Sequence, residues 1–438
     1  MEIDLIKRII LEKQREVFDY QVQDRNVTFE EGVCYVLVGP RRAGKSFLLY
    51  HDIQERARTG KAKREDIIYL NFEDERISSI RASELGMLLD AYSQLFGEVK
   101  PIVYLDEIQN IIGWEKFARR LADSKYRVMI TGSNAKMLSS EIATTLGGRY
   151  IPKDIFPFSF EEYLLYEGIS LGRNWLYDSV ILSKVARAFA KYLHSGGFAE
   201  SFNLLDSREW LTSLYQKVLL GDVVERNGVR NSNALRLLVR KLADNVMQPC
   251  SLQRLRHIIV SSGESLSLPA LKDYLSFMEE AYLMFSLPNL VSPFSERETI
   301  RKRYFMDNGI LNLFLIDGET KLLENVVAVS LNVKYTNTKD ETRLFYYNKN
   351  IEVDFCVPED KLAIQVSYSI DSLATYDREV GGLVKFIKAN PEYRGLIITM
   401  FDEREITEGD VSINVLPAWK WLCTFKRFQD RHITAAAK

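Results

Sequence analysis

Eight consecutive residues of this chain have types and spacing suited to holding phosphate: Gly39, Pro40, Arg41, Arg42, Ala43, Gly44, Lys45 and Ser46. They fit G-x-x-x-x-G-K-[ST], a pattern in which each part has a physical task. Glycines let the backbone curl until successive N–H groups point inward and cradle phosphate oxygens. A helix beginning at the loop adds the partial positive charge of its N-terminus. A lysine at position 45 reaches the β- and γ-phosphates, and the Ser46 hydroxyl is a hard oxygen donor for Mg²⁺. With Phe47, the next residue, these positions form the candidate segment for binding a nucleoside triphosphate, with ATP and Mg²⁺ as the implied ligands.

A second constellation lies downstream. Ile102 to Leu105 is an apolar run, and it ends in Asp106 and Glu107. Asp106 is placed to hold the Mg²⁺ shell and Glu107 to polarise an attacking water. A third run, Tyr126 to Ile130, ends in Thr131, Gly132, Ser133 and Asn134. One of Thr131, Ser133 or Asn134 senses the γ-phosphate or positions water. Equally, Ser133 or Asn134 caps the helix expected from Ala135 to Leu146.

Strands and helices must carry these groups to one place. Cys34 to Val38 is a short apolar run rich in strand formers, and Leu48, Leu49, Ile53 and Ala57 have helical spacing. The loop therefore sits between a strand and a helix. Ile67 to Phe72 reads as a buried strand, residues 82–96 as a helix, and Tyr150 to Phe156 as a further strand. In an open α/β sheet, ligands bind at the carboxyl edge, where all three polar clusters fall. Residues 2–20 read as a charged lead-in helix with Ile3, Ile6, Ile9 and Ile10 inward.

The whole-chain numbers narrow the class. The 438 residues are 46% hydrophobic, enough for real cores, and the net charge is −2, so no global field recruits nucleic acid or membrane. Four dispersed cysteines form no C-x-x-C pair, which argues against a zinc site or a disulfide framework. The start carries Glu2 and Asp4 where a leader needs bases, and no apolar run approaches membrane-spanning length. A soluble, cytoplasmic protein with no membrane partner is expected.

The set of motifs resembles the AAA+ family: the phosphate loop with two arginines, "NFED", "YLDEIQN", "ITGSN", a helix ending in "GGRY", and then "FPFSFEEYL". More narrowly it is similar to prokaryotic AAA+ ATPases whose C-terminal domain of unknown function is related to restriction-type nucleases. The resemblance implies that Arg149, just before the fifth strand, is an arginine finger. Such a finger reaches a neighbouring subunit's γ-phosphate, so it implies a homo-oligomer. The competing reading is an arginine closing a helix against its dipole. The resemblance also places at Asn71 a residue that restrains the catalytic glutamate.

Residues 158–250 read as mostly helical. Residues 251–288 follow as helix, turn, helix and strand, the order of a winged helix, which the resemblance also implies. From Arg226 to Arg256 there are seven Lys or Arg against one acid, Asp244. The helix expected at 268–282 instead turns Lys272, Asp273, Ser276, Glu279 and Glu280 outward, a net acidic set that phosphates repel. Contact with partner subunits, or with DNA through the basic helices, is expected in place of major-groove reading. Residues 301–400 alternate strand and helix and resemble the PD-(D/E)xK nuclease fold. Asp354 matches its first acid, but Gln365 and Ser367 stand where Glu and Lys belong, and Glu324 is left as an outer carboxylate. A degenerate domain without cleavage activity follows.

The expected architecture is thus α/β: an AAA+ P-loop domain over 1–160, a helical and winged-helix domain over 161–295, and a nuclease-like domain over 296–438. The expected function is an Mg²⁺-dependent ATPase that uses Lys45, Glu107 and Arg149 and couples turnover to movement of its C-terminal domains. The rivals are a slow nucleotide switch and an ATP-regulated DNA-binding or nuclease-type effector.

Overall fold

The computed structural model describes residues 2–25, 27–133, 145–335 and 343–425. These form two compact units, Met1–Phe156 and Pro157–Lys438. The segments expected at 161–295 and 296–438 fall together in the second. The expected helix after Ser133 lies mostly outside the described residues, as does Asn134.

In the first unit five parallel strands form one sheet: β1 (Cys34–Val38), β2 (Ile67–Asn71), β3 (Ile102–Asp106), β4 (Val128–Gly132) and β5 (Tyr150–Asp154). Their spatial order is β2-β3-β4-β1-β5. The apolar runs are continuous because both faces are covered. On one face Leu48, Leu49, Tyr50 and Ile53 of α1 (Lys45–Arg58) pack on Tyr35, Leu37, Tyr69, Tyr104 and Met129. The lead-in helix, Ile3–Glu16, buries Ile6, Ile9 and Ile10, and its Gln14 Nε2 donates to the Ile67 carbonyl at 2.7 Å. The helix expected over 82–96 is broken into a single turn, Ala82–Glu84, and a helix, Met87–Phe96.

Register decides what meets at the carboxyl edge. Tyr35 of β1 and Tyr104 of β3 both pair with Met129 of β4, so the three strands run level. Two residues further on, Leu37, Asp106 and Thr131 share a row, since side chains on a strand repeat every second residue. Chain segments distant in sequence thereby reach one edge.

In the second unit, helices Phe160–Tyr166, Ser179–Ser195, Ser207–Lys217, Ser232–Asp244, Leu252–Ser261 and Leu268–Glu280 precede or border an antiparallel sheet of three strands. These are β6 (Cys250–Ser251), β7 (Met284–Pro288) and β8 (Ile300–Phe305), in the order β6-β8-β7. A π-helical stretch, Val218–Glu225, prolongs the helix Ser207–Lys217.

A mixed six-stranded sheet follows: β9 (Phe345–Asn348), β10 (Glu352–Val357), β11 (Leu362–Val366), β12 (Arg394–Thr399), β13 (Arg404–Glu408) and β14 (Val411–Pro417). Its order is β13-β14-β12-β11-β10-β9. α2 (Glu319–Tyr335) carries Glu324. α3 (Leu373–Ala389) packs Val380, Leu383 and Phe386 on Val353, Ile397 and Ile413. All four cysteines are buried and free. No helix among the described residues is long and apolar enough to cross a membrane.

Candidate functional site

The loop leaves β1 at Val38, whose carbonyl accepts from Ile155 N at 2.7 Å. Gly39 follows with φ +152°, and a Cβ there would stand 1.9 Å from the Ile155 carbonyl oxygen. No side chain fits, so this glycine is set by the close approach of β5's end. Gly44 (φ +86°) is the left-handed residue from which α1 starts. Lys45 is 4% exposed, and its Nζ donates to the carbonyls of Gly39 (3.1 Å) and Pro40 (2.9 Å). Its ammonium is thus held inside the loop's own curve. Ser46 is half-buried at the helix start, and Arg42 (φ +66°) is exposed. Arg41 pairs with Glu73 at 3.0 Å. Phe47 is exposed and meets the Tyr20 ring edge-on at a centroid distance of 5.8 Å. A residue absent from the motif braces the loop: Arg25 donates to the carbonyls of Ala43 (2.8 Å) and Phe156 (2.9 Å).

Asp106 is fully buried and held on both oxygens. Tyr69 Oη donates to Oδ2 at 2.7 Å, and Thr131 Oγ1 donates to Oδ1. Tyr69 Oη also shares a 3.0 Å hydrogen bond with Tyr50 Oη of α1. Each carboxylate oxygen keeps a further lone pair. A hard carboxylate and the Ser46 hydroxyl suit Mg²⁺, which is bound through few protein oxygens and several waters. The residues fit this ion.

Glu107 sits in the left-handed region (φ +53°), uncommon for a residue with a side chain. Its N–H donates to Thr131 Oγ1 at 2.9 Å, and its carboxylate accepts from Gln109 Nε2. Burial raises its pKa above the ordinary 4.5. Lys45 pulls it back down, Asp106 and Glu73 push it up, and the Gln109 bond lowers it. A carboxyl with a raised pKa near a lysine is what general-base work requires.

The structure therefore gathers the loop, Lys45, Asp106, Glu107 and Ser133 at one edge, Ser133 through Gln109 Nε2 at 3.4 Å. Arg149 is placed elsewhere. It pairs with Asp123 and donates to the carbonyls of Leu146 (3.5 Å) and Gly147 (3.2 Å). Asn71 does not hold Glu107: its Oδ1 accepts from Glu73 N at 2.8 Å, a local turn, and Gln109 is the residue on the glutamate. Tyr69, Gln109 and Arg25 were not singled out from the sequence. Only Gln109, two residues after the acid pair, carried a positional signal.

In the second unit a cavity of about 380 Å³ is lined by Glu324, Glu352, Asp354, Gln365, Ser367 and Glu379, among others. Lys302, 1% exposed, donates to Asp354 Oδ1 at 2.9 Å and lies 3.1 Å from Glu352 and 3.7 Å from Glu324. Burial opposes its charge, but the three carboxylates, Asp354 foremost, hold its pKa well above the usual lysine value. Burial and Asp354 push Glu324 up to about 8. Gln365 accepts from Asp354 N at 3.2 Å and donates to Glu379, and Ser367 Oγ donates to the Ser369 carbonyl at 2.9 Å. Among the described residues no group of acids, histidines and cysteines is arranged to hold a metal ion. The residues present do not fit a nuclease metal, because an ammonium already sits among the acids.

Residues 32–164 match the family described as AAA domain, and residues 186–321 match a domain of unknown function, DUF8612. An uncharacterized protein of Methanocaldococcus jannaschii, MJ1544, is 32% identical over 89% of this chain and 88% of its own length. The chain belongs to the MJ1544 family. An uncharacterized protein of Haemophilus influenzae is 28% identical, over 88% of this chain and 93% of its own. Among solved structures, a Walker-type ATPase of Pyrococcus abyssi has 17% identity and a TM-score of 0.37, covering 71% of this chain and 95% of that one. AMPPCP-bound DnaA from Aquifex aeolicus has 14% identity and a TM-score of 0.25, covering 63% and 88%. The first unit of this family member has an AAA-type P-loop ATPase fold.

Proposed function

We propose that this chain is an Mg²⁺-dependent ATPase of the AAA+ class, coupling ATP binding and hydrolysis to rearrangement of its second unit. The observation that carries the reading is the convergence of Lys45, Asp106 and Glu107 at the carboxyl edge of β1 and β3. The loop from Gly39 to Ser46, with Phe47 beside it, binds the triphosphate. Lys45 leaves its two carbonyls for the β- and γ-phosphate oxygens. Ser46 and Asp106 hold Mg²⁺, which when bound neutralises phosphate charge. Glu107 accepts a proton from the attacking water, and Ser133 reports on the γ-phosphate. Arg149 leaves Asp123 to meet a neighbouring subunit's nucleotide, which makes the working form a homo-oligomer. The helices from 252 to 280 with β7 and β8 act as a winged helix, and the six-stranded sheet as a nuclease-like module without cleavage.

The test is steady-state turnover of the full chain. Glu107→Gln is expected to lower kcat about 10²–10⁴-fold with nucleotide still bound, whereas Lys45→Ala loses nucleotide affinity. A Glu107→Gln variant that turns over as wild type rejects the assignment. A second reading, contact with DNA, draws on the exposed Arg236, Arg240, Arg254 and Arg256. Binding to duplex DNA that weakens steeply with salt would support it.

A further inference from the structure

Gln109 lies in the single turn Ile108–Asn110 that follows Glu107. A carboxylate only accepts hydrogen bonds, so the amide nitrogen of Gln109 must be the atom facing Glu107, which fixes the orientation of the carboxamide. That nitrogen also lies 3.4 Å from Ser133 Oγ. The amide oxygen, Oε1, is then left over. It is buried and has no hydrogen-bond partner among the described residues. A buried acceptor without a donor costs free energy, and such a group beside a general base needs an explanation. The neighbouring Thr131 supplies none, since its one hydroxyl hydrogen goes to Asp106.

We infer that Gln109 is a catalytic residue of ATP hydrolysis, whose Oε1 accepts one hydrogen of the attacking water while Glu107 accepts the other. This rests on the ATPase reading above. Water has two O–H donors, and two acceptors on adjacent side chains fix both. One of its two lone pairs is then turned toward phosphorus. A glutamine orients water in this way in other phosphoryl-transfer enzymes.

The step balances. The water oxygen forms a bond to the γ-phosphorus, and the bond from that phosphorus to the β,γ-bridging oxygen breaks, releasing ADP. The hydrogen on Glu107 leaves as a proton to solvent. The hydrogen on Gln109 stays on the attacking oxygen as the hydroxyl of the released phosphate. Gln109 Nε2 has a second task, holding the Glu107 carboxylate in place.

The experiment compares wild type, Gln109→Ala, Gln109→Glu and Glu107→Gln, reading kcat, KM and the dissociation constant of a fluorescent ATP analogue. Gln109→Ala is expected to lose about 100-fold in kcat at unchanged KM and affinity. Gln109→Glu is equally slow, because it cannot donate to Glu107 and adds a like charge. Wild-type kcat in Gln109→Ala, with Glu107→Gln inactive, overturns this inference alone. Loss of nucleotide affinity in Gln109→Ala assigns the residue to loop structure and overturns it too. A wild type without turnover overturns the ATPase reading and this inference with it.

Discussion

Lys302 Nζ stands 2.9 Å from Asp354 Oδ1, with Glu352 and Glu324 completing a ring of acidic side chains around one ammonium. The three N–H donors of a lysine can meet three acceptors, so this ammonium stands in for a cation among the acids. Removing it leaves buried acids uncompensated. Lys302→Met is expected to destabilise the second unit by about 3–5 kcal/mol, read by urea unfolding of the full chain. Millimolar Mn²⁺ should raise the melting temperature of the variant and leave wild type unchanged. Equal responses would reject the stand-in role.

The two loop glycines are expected to differ in tolerance. At Gly39 a methyl group would collide with the Ile155 backbone, 1.9 Å away. At Gly44 the nearest atom is Arg25 Nη1 at 3.6 Å, and only the positive φ resists substitution. Gly44→Ala therefore costs about 1 kcal/mol and weakens nucleotide binding modestly. Gly39→Ala abolishes binding, as a fluorescent ATP analogue will report. The reverse ranking would mean that β5 does not set the loop.

Stability should fall as pH rises through neutrality, in part because of Glu324. Its carboxyl goes from 4.5 when unfolded to about 8 when folded, raised by burial and by Asp354. The folded chain thus binds more protons between these values, and stability drains as pH climbs. Below about 4.5 both states are protonated and the contribution is complete. Thermal melts from pH 5 to pH 8 should decline more steeply for wild type than for Glu324→Gln. Asp307, raised by burial to about 6, acts in the same sense at lower pH and is common to both proteins. Parallel slopes would show that Glu324 is ionised throughout.

Arg149 offers a test of assembly. It is paired with Asp123, and the proposed role requires it to exchange that partner for a neighbour's phosphate. Turnover per subunit should climb with protein concentration, while Arg149→Ala stays low, by about 10³-fold if the finger acts as in related chemistry. A rate independent of concentration, equal in the variant, would leave Arg149 as a helix-end brace.

The first unit was legible because its signals are local. A run such as Cys34 to Val38 is apolar throughout, and the glycine–lysine spacing lies within eight residues. What escaped was either polar or distant. β13 and β14 form an antiparallel edge, where Arg404, Glu405, Thr407 and Glu408 face water and dilute the apolar pattern. Lys302 sits in a strand reading Ile-Arg-Lys-Arg-Tyr-Phe, which looks like a solvated basic edge. Its carboxylates come from α2 and β10, twenty-two to fifty-two residues later. Gln109 follows a motif that draws the eye to Asp106 and Glu107. The partner that decides each of these roles is set by tertiary approach, which neither spacing nor periodicity encodes.

The four buried thiols give the chain its own clock for opening. Burial raises the pKa of each, so none is a ready thiolate in the folded protein. Cys34 lies in the first sheet; Cys250, Cys356 and Cys423 lie in the second unit. An alkylating reagent can therefore reach them only as the surrounding structure comes apart. Mass analysis of the order of labelling would rank how often each unit opens, and would show whether nucleotide steadies the first without slowing the second.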